Sequence, residues 1–200
     1  MPNLRTIAPT AAIAAAALLA LIGPRNGRAE EVKYYFKISN VQAQESRIVP
    51  MARDLLEREV QSRPELTTEA GEGAEEAARL AALKQRGIQA CLVSMRIMRL
   101  KKEIKPPAPG RRDPQMAIEV KLSIFGHTLP GNKALFTGDG ESALVGDFSE
   151  RLKDKEEENF TKTALAAAIK QAVTNGVEKL THSTLEEKKP AKAKKARGKR

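Results

Sequence analysis

The sequence predicts an α+β domain: a mainly antiparallel sheet of about four strands, two or three helices packed on one face, and a disordered basic carboxy-terminal tail. Three observations predict it. Residues 116–124 alternate, with Met116, Ile118, Val120, Leu122 and Ile124 apolar against Glu119, Lys121 and Ser123. That period of two marks a strand with one buried and one wet face. Residues 160–180 carry an apolar stripe at helical spacing, from Phe160 through Leu165, Ile169 and Val173 to Leu180. Finally, strand-like and helix-like segments follow one another as strand, helix, short helix, three strands and a helix, the order of a sheet with segregated helices.

Taken in turn, Tyr34–Val41 (YYFKISNV) is aromatic and β-branched, a first strand. Pro50 suits a first helical turn, and Val49, Ala52, Leu55, Leu56 and Val60 keep helical spacing up to Pro64. Residues 65–74 are polar with glycine, a loop. Glu75–Gln85 reads as a short helix stopped by Gly87. Ile88–Leu100 (IQACLVSMRIMRL) is apolar enough at its centre for burial on both faces. Lys101–Pro114 is a Pro-, Gly- and charge-rich loop, and Gln115–Phe125 returns as the alternating strand. Pro130-Gly131-Asn132 supplies a turn, and Lys133–Leu144 makes the next strand. Its Gly138 and Gly140 indicate a bulge or a packing constraint. A linker over Asp147–Glu158 precedes the last helix, Asn159–Leu180. No internal repeat is present.

Charge is unevenly placed. Of the formal net +10, Arg5, Arg25 and Arg28 account for three and the segment after residue 185 for six, so residues 30–185 carry about +1. The pI of 9.8 is therefore a property of the two ends and does not mark the whole chain as a nucleic-acid binder. The tail, 186–200, holds Lys188, Lys189, Lys192, Lys194, Lys195, Arg197, Lys199 and Arg200 and no apolar residue larger than Ala or Pro. Such a segment cannot bury a core; its means of contact is long-range attraction to polyanions.

The other end has the parts of a secretory signal. Arg5 precedes Ala11–Ile22, an unbroken run of twelve apolar residues, and Gly27 and Ala29 stand at −3 and −1 of a cut after Ala29. The run is shorter than the roughly 20 residues that span a bilayer. The competing readings are an Ala-rich core helix and an uncleaved amphipathic terminus. The expected organisation is a signal at 1–29, one domain at 30–185 and the tail at 186–200, in a periplasmic or secreted protein without a transmembrane span in its mature form.

No catalytic, cofactor-binding or metal-binding residues are assigned. One cysteine, Cys91, excludes an internal disulfide and CxxC zinc sites, and its apolar strand fits an inert thiol better than a nucleophile. His127 and His182 lack a partner at ligand spacing. Asp139, Glu141 and Asp147 are the one acidic group to weigh as a cation site; a solvated strand edge is the preferred reading. The segment RLKKEIKPPAPGRR offers Arg99, Lys101, Lys102, Lys105, Arg111 and Arg112 against Glu103, and is expected to project as a loop that either meets an anionic surface or a partner protein or is a solvated hairpin kept soluble by its charge.

The opening strand with VPMARDLLEREVQSRP, the helix-Gly-strand junction in LKQRGIQACLVSMRIMRL, and GDGESALV leading to TALAAAIKQAVTNGVEKL resemble one small domain family. It includes the amino-terminal domain of TolB, the curli-secretion lipoprotein and the lipoprotein activators of penicillin-binding proteins. The resemblance spans Tyr34–Leu180 and implies a non-catalytic envelope domain that binds other proteins. The chain departs from that pattern in lacking a lipidation cysteine and in carrying the basic tail. The expected function is thus an exported envelope adaptor needing no cofactor, with an envelope protein as partner and anionic polymers or lipid head groups met by the tail. The alternative is an intracellular nucleic-acid-associated protein using the tail and the 99–112 segment. An enzyme whose site one chain does not reveal is a third reading.

Overall fold

The alternating segment 116–124 sits at the centre of the architecture. A computed structural model describes residues 33–70, 75–107, 109–110, 113–149, 151 and 153–187. The segment read as a signal (1–29), Arg111, Arg112 and Lys188–Arg200 lie outside the described residues. Five strands and three helices follow in the order β1 (Tyr34–Gln42), α1 (Ile48–Gln61), β2 (Leu66–Thr67), α2 (Glu76–Gln85), β3 (Gln89–Lys105), β4 (Gln115–Thr128), β5 (Ala134–Asp147) and α3 (Lys153–Glu187). The sheet order is β2-β1-β3-β4-β5. The ladders β3–β4 and β4–β5 are antiparallel and long. β1 runs parallel to both β2 and β3. The α+β class and the mainly antiparallel sheet are as the sequence predicts; the fifth strand is the two-residue β2, inside the stretch expected as a loop.

α1 and α3 cover one face. Ile48, Ala52, Leu56 and Val60, spaced by four along α1, are buried with Leu165, Ile169, Ala172 and Val173 of α3. Both lie against Val93, Met95, Ile118, Leu122 and Ile124 of the sheet. Arg63, just past α1, binds Glu59 Oε1 through Nε and Nη2 (3.0 and 2.9 Å) and donates to Thr174 Oγ1 (2.5 Å), tying α1 to α3. The short α2 takes the opposite face at one end of the sheet, where Leu83 joins Tyr35, Ile88 and Ala90 in a smaller cluster.

Glycine sets the distance between β5 and α3. A Cβ on Gly138 would stand 2.0 Å from the Ala172 carbonyl oxygen, and one on Gly140 would stand 1.9 Å from that of Ala168. Small residues on both sides (Ala168, Ala172 and Gly176 on α3) let the two backbones touch. Of the two alternatives the sequence left for these glycines, packing is the one realised; the β4–β5 register shift falls elsewhere, at Gly126/His127.

Several boundaries differ from expectation; β4 runs to Thr128 and α3 to Glu187, past the expected Phe125 and Leu180, so Glu186 and Glu187 belong to the helix and not to the tail. β3 continues through Lys105, so residues 101–105 are strand and only 106–114 connect it to β4. β5 likewise reaches Asp147. α3 starts at Lys153, inside the expected linker, with Asp154 and Glu156 in its first turn. Glu156 accepts the Ser149 amide (2.6 Å), and acidic groups favour a helix N-terminus.

Candidate partner-binding surface

Opposite α1 and α3, the sheet face of β3, β4 and β5 beyond α2 carries no helix among the described residues. Its side chains form rungs between strands. Arg99 pairs with Glu119 (3.4 Å), and Lys121 pairs with Glu141. Ser123 donates its hydroxyl to Asp139 Oδ1 (2.6 Å), and Gln115 Nε2 donates to Asp147 Oδ1 (3.1 Å). Positive charge gathers on β3 (Arg96, Arg99, Lys101, Lys105, against Glu103) and negative charge on β5 (Asp139, Glu141, Asp147). Met98 and Val145 are 45% and 54% exposed.

The basic residues predicted as a loop are thus largely strand residues. A bulge at Met98 resets the alternation. Arg99 and Lys101, opposite Lys121 and Glu119, fall on the open face, whereas Leu100, Lys102 and Ile104 oppose Val120, Ile118 and Met116 on the helix face. Lys101 is held by Glu103 (2.9 Å), and that hydrogen bond keeps the Glu103 carboxyl below the usual carboxylate range. Lys102 turns inward to Glu157 (2.9 Å) and Glu45 (3.4 Å).

Lys102 belongs to a clasp that sequence reasoning missed. Arg47 meets Glu45 (3.0 Å) and Glu157 (3.8 Å), so two cations and two carboxylates join the start of α1, the far half of β3 and the first turns of α3. Beside them lies a crevice of about 340 Å³ whose walls include Ile48, Met51, Lys102, Glu157 and Thr161. Thr161 is 3% exposed and its hydroxyl has no partner among the described residues. No spacing signal links Glu45, Arg47, Lys102 and Glu157, which come from three separate segments.

Burial alone would raise the Glu45 carboxyl, but hydrogen bonds and charge from Arg47 and Lys102 outweigh it and hold the group below its ordinary value. A depressed folded-state pKa contributes stability above the unfolded carboxylate value, near 4.3, and that contribution disappears as pH falls through the folded value. Wild type is therefore expected to lose more of its urea midpoint than Glu45→Gln between about pH 5.5 and pH 3. Parallel losses in the two proteins would show that the clasp does not titrate with folding.

The acidic trio does not converge. Asp139 and Glu141 each pair with a β4 neighbour, Asp147 bonds Gln115, and among the described residues no three His, Cys, Asp or Glu side chains are grouped to hold a metal ion. Cys91 is buried in β3 facing the helices, and burial pushes its thiol up to about 12. His127 lies near the end of β4, opposite Leu92. The His182 side chain lies outside the described residues.

No family model matches the chain, and no curated protein matches it. Among solved structures, it is similar to the rare lipoprotein B of Shewanella oneidensis (13% identity, 76% of this chain and 98% of that chain, TM-score 0.41). It is also similar to an uncharacterized lipoprotein B of Nitrosomonas europaea (17% identity, 79% and 93%, TM-score 0.36). A third is the PelC dodecamer of Paraburkholderia phytofirmans (8% identity, 74% and 89%, TM-score 0.36). The resemblance read from the sequence is met only at the coarser level of lipoprotein neighbours, not by the TolB or curli-secretion members in particular. At these identities the likeness concerns chain arrangement and nothing chemical.

Proposed function

We propose that the protein is an exported, non-catalytic binding domain of a bacterial envelope that meets another protein through the uncovered side of its sheet. The observation that carries this reading is the bare face of β3–β5, where Met98 and Val145 stand exposed among ordered charge rungs. Apolar side chains framed by polar ones are the make-up of a protein-binding patch. The export part rests on Arg5, the apolar run Ala11–Ile22, and Gly27 and Ala29 before the cut. The tail then meets envelope polyanions.

Cell fractionation with sequencing of the mature amino terminus tests the reading. The expected product begins at Glu30 in the periplasmic or secreted fraction; an intact Met1 in the cytosol would sink it.

A further inference from the structure

β1 pairs with β3 only from Gln89 to Arg96, where β1 ends at Gln42. β3 continues to Lys105 with β4 along its other side throughout. Among the described residues, then, no strand pairs with β3 from Ile97 onward on the side away from β4. Alternate residues of a strand aim N–H and C=O toward each side, so this stretch presents an open row of backbone donors and acceptors.

The sheet's other long edge is treated differently. Gln171, Asn175 and Lys179, four apart on α3, reach over β5. Gln171 Oε1 accepts the Glu141 amide (2.9 Å), Asn175 Nδ2 donates to the Asp139 carbonyl (2.7 Å), and Lys179 Nζ donates to that of Thr137 (2.7 Å). Among the described residues no such row of side chains runs along Ile97–Lys105. One edge is closed by its own helix, and the other is left open.

We infer that Arg99–Lys105 of β3 accepts an extended segment of a partner protein as an added strand, one that alternates acidic with apolar residues. Register sets that pattern. On the helix side, an added strand would run beside Leu100 and Ile104, the latter 50% exposed, with Lys102 between them turned away to Glu157 and Glu45. On the open side it would run beside Arg99, Lys101, Glu103 and Lys105, a stretch that stays net cationic although Glu119 pairs with Arg99 and Glu103 with Lys101. Successive residues of the incoming strand therefore meet apolar and cationic surroundings in turn. Where β1 departs, a notch of about 420 Å³ lined by Gln42, Ala43, Gln44, Arg96, Ile97 and Met98 leaves room for the end of that segment. Strand addition of this kind draws affinity from main-chain bonds and specificity from alternate side chains. The inference rests on the reading that the domain binds a protein, and adds the place and the chemistry.

The probes are two capped nonapeptides, one alternating Glu with Val and one alternating Lys with Val, added at low salt to the full chain. Fluorescence anisotropy and amide hydrogen exchange are the readouts. The Glu peptide is expected to bind, weaken with salt, and slow exchange at alternate amides between Ile97 and Lys105; the Lys peptide is expected to do neither. Arg99→Glu with Lys101→Glu should weaken binding about tenfold or more with unchanged circular dichroism. Lys105→Glu, at the end of the strand, should weaken it less and keeps the test valid if the double variant misfolds. Protection of β5 in place of β3, equal binding of the Lys peptide, or no protection by either peptide overturns the inference. So does concentration-dependent self-association that the reversal abolishes, since a second copy would then be the occupant. The broader reading fails separately, by retention of Met1 in the cytosol, and survives loss of this particular site.

Discussion

Alanine at both Gly138 and Gly140 is expected to lower stability by about 3 kcal/mol or more, the upper part of the range for overpacked cores. The new methyl groups would meet the carbonyl oxygens of Ala172 and Ala168 at 2.0 and 1.9 Å, far inside contact distance. Those obstacles are helix backbone, so no side-chain rotation relieves them; α3 must move away from β5. Moving it loosens Leu165, Ile169 and Val173, all buried in the main cluster. It also pulls Gln171, Asn175 and Lys179 from the β5 backbone groups they satisfy. Because one displacement of α3 relieves both clashes, the two single variants should each cost nearly as much as the pair, a departure from additivity. Urea unfolding of the three variants checks this; a double variant within about 0.5 kcal/mol of wild type would mean the close approach is not maintained in solution.

How much of this was legible in the sequence depends on how local each signal is. The alternation of Met116–Ile124 and the stripe from Phe160 to Leu180 are written into neighbouring residues, and both elements stand where those patterns put them. The ends of β3 and α3 were hidden for the same reason. Lys101–Lys105 and Lys153–Glu158 are charged, without an apolar rhythm. Their structure comes from cross-strand pairing with Gln115–Glu119 in one case and from Glu156 at a helix start in the other. Pro106 and Pro107 reinforced the loop reading of 101–114, although they begin only after the strand ends. The parallel pairing of β1 with β3 was out of reach, since partners such as Phe36 and Cys91 are far apart in the chain and either direction buries the same side chains. The clasp was invisible too: Glu45, Lys102 and Glu157 acquire meaning only once the sheet and α3 are assembled. Of the candidate binding residues, the sequence located the charge on 99–105 but not the open edge that gives it direction.

Phe136→Ala is expected to cost about 3–5 kcal/mol, the range for removing a buried phenyl ring. Phe136 is 7% exposed and stacks on Phe36 with centroids 5.6 Å apart and planes 18° from parallel. The ring spans the sheet, because Phe36 is on β1 and Phe136 on β5, with β3 and β4 between them. It can do so because Gly126 and Gly176 have no side chain: a Cβ on either would lie 1.9 or 2.8 Å from the ring. Removing the ring therefore opens a cavity bounded by backbone that collapses poorly, which places the cost at the high end of large-to-small changes. For a chain of this size the melting temperature should fall by about 10 °C or more. Phe136→Leu should recover much of the loss, and Gly126→Ala combined with Phe136→Ala should do better than the sum of the two single changes, since the new methyl occupies space the ring has left. A melting temperature within about 2 °C of wild type for Phe136→Ala would show that the ring does not bridge the two ends of the sheet. The contrast with the β3 edge is physical. Phe136 acts on the helix face through packing, whereas Arg99 and Lys101 are exposed, paired with Glu119 on β4 and with Glu103 on β3 itself. Loss of folding and loss of binding should therefore separate cleanly between the two sets of variants.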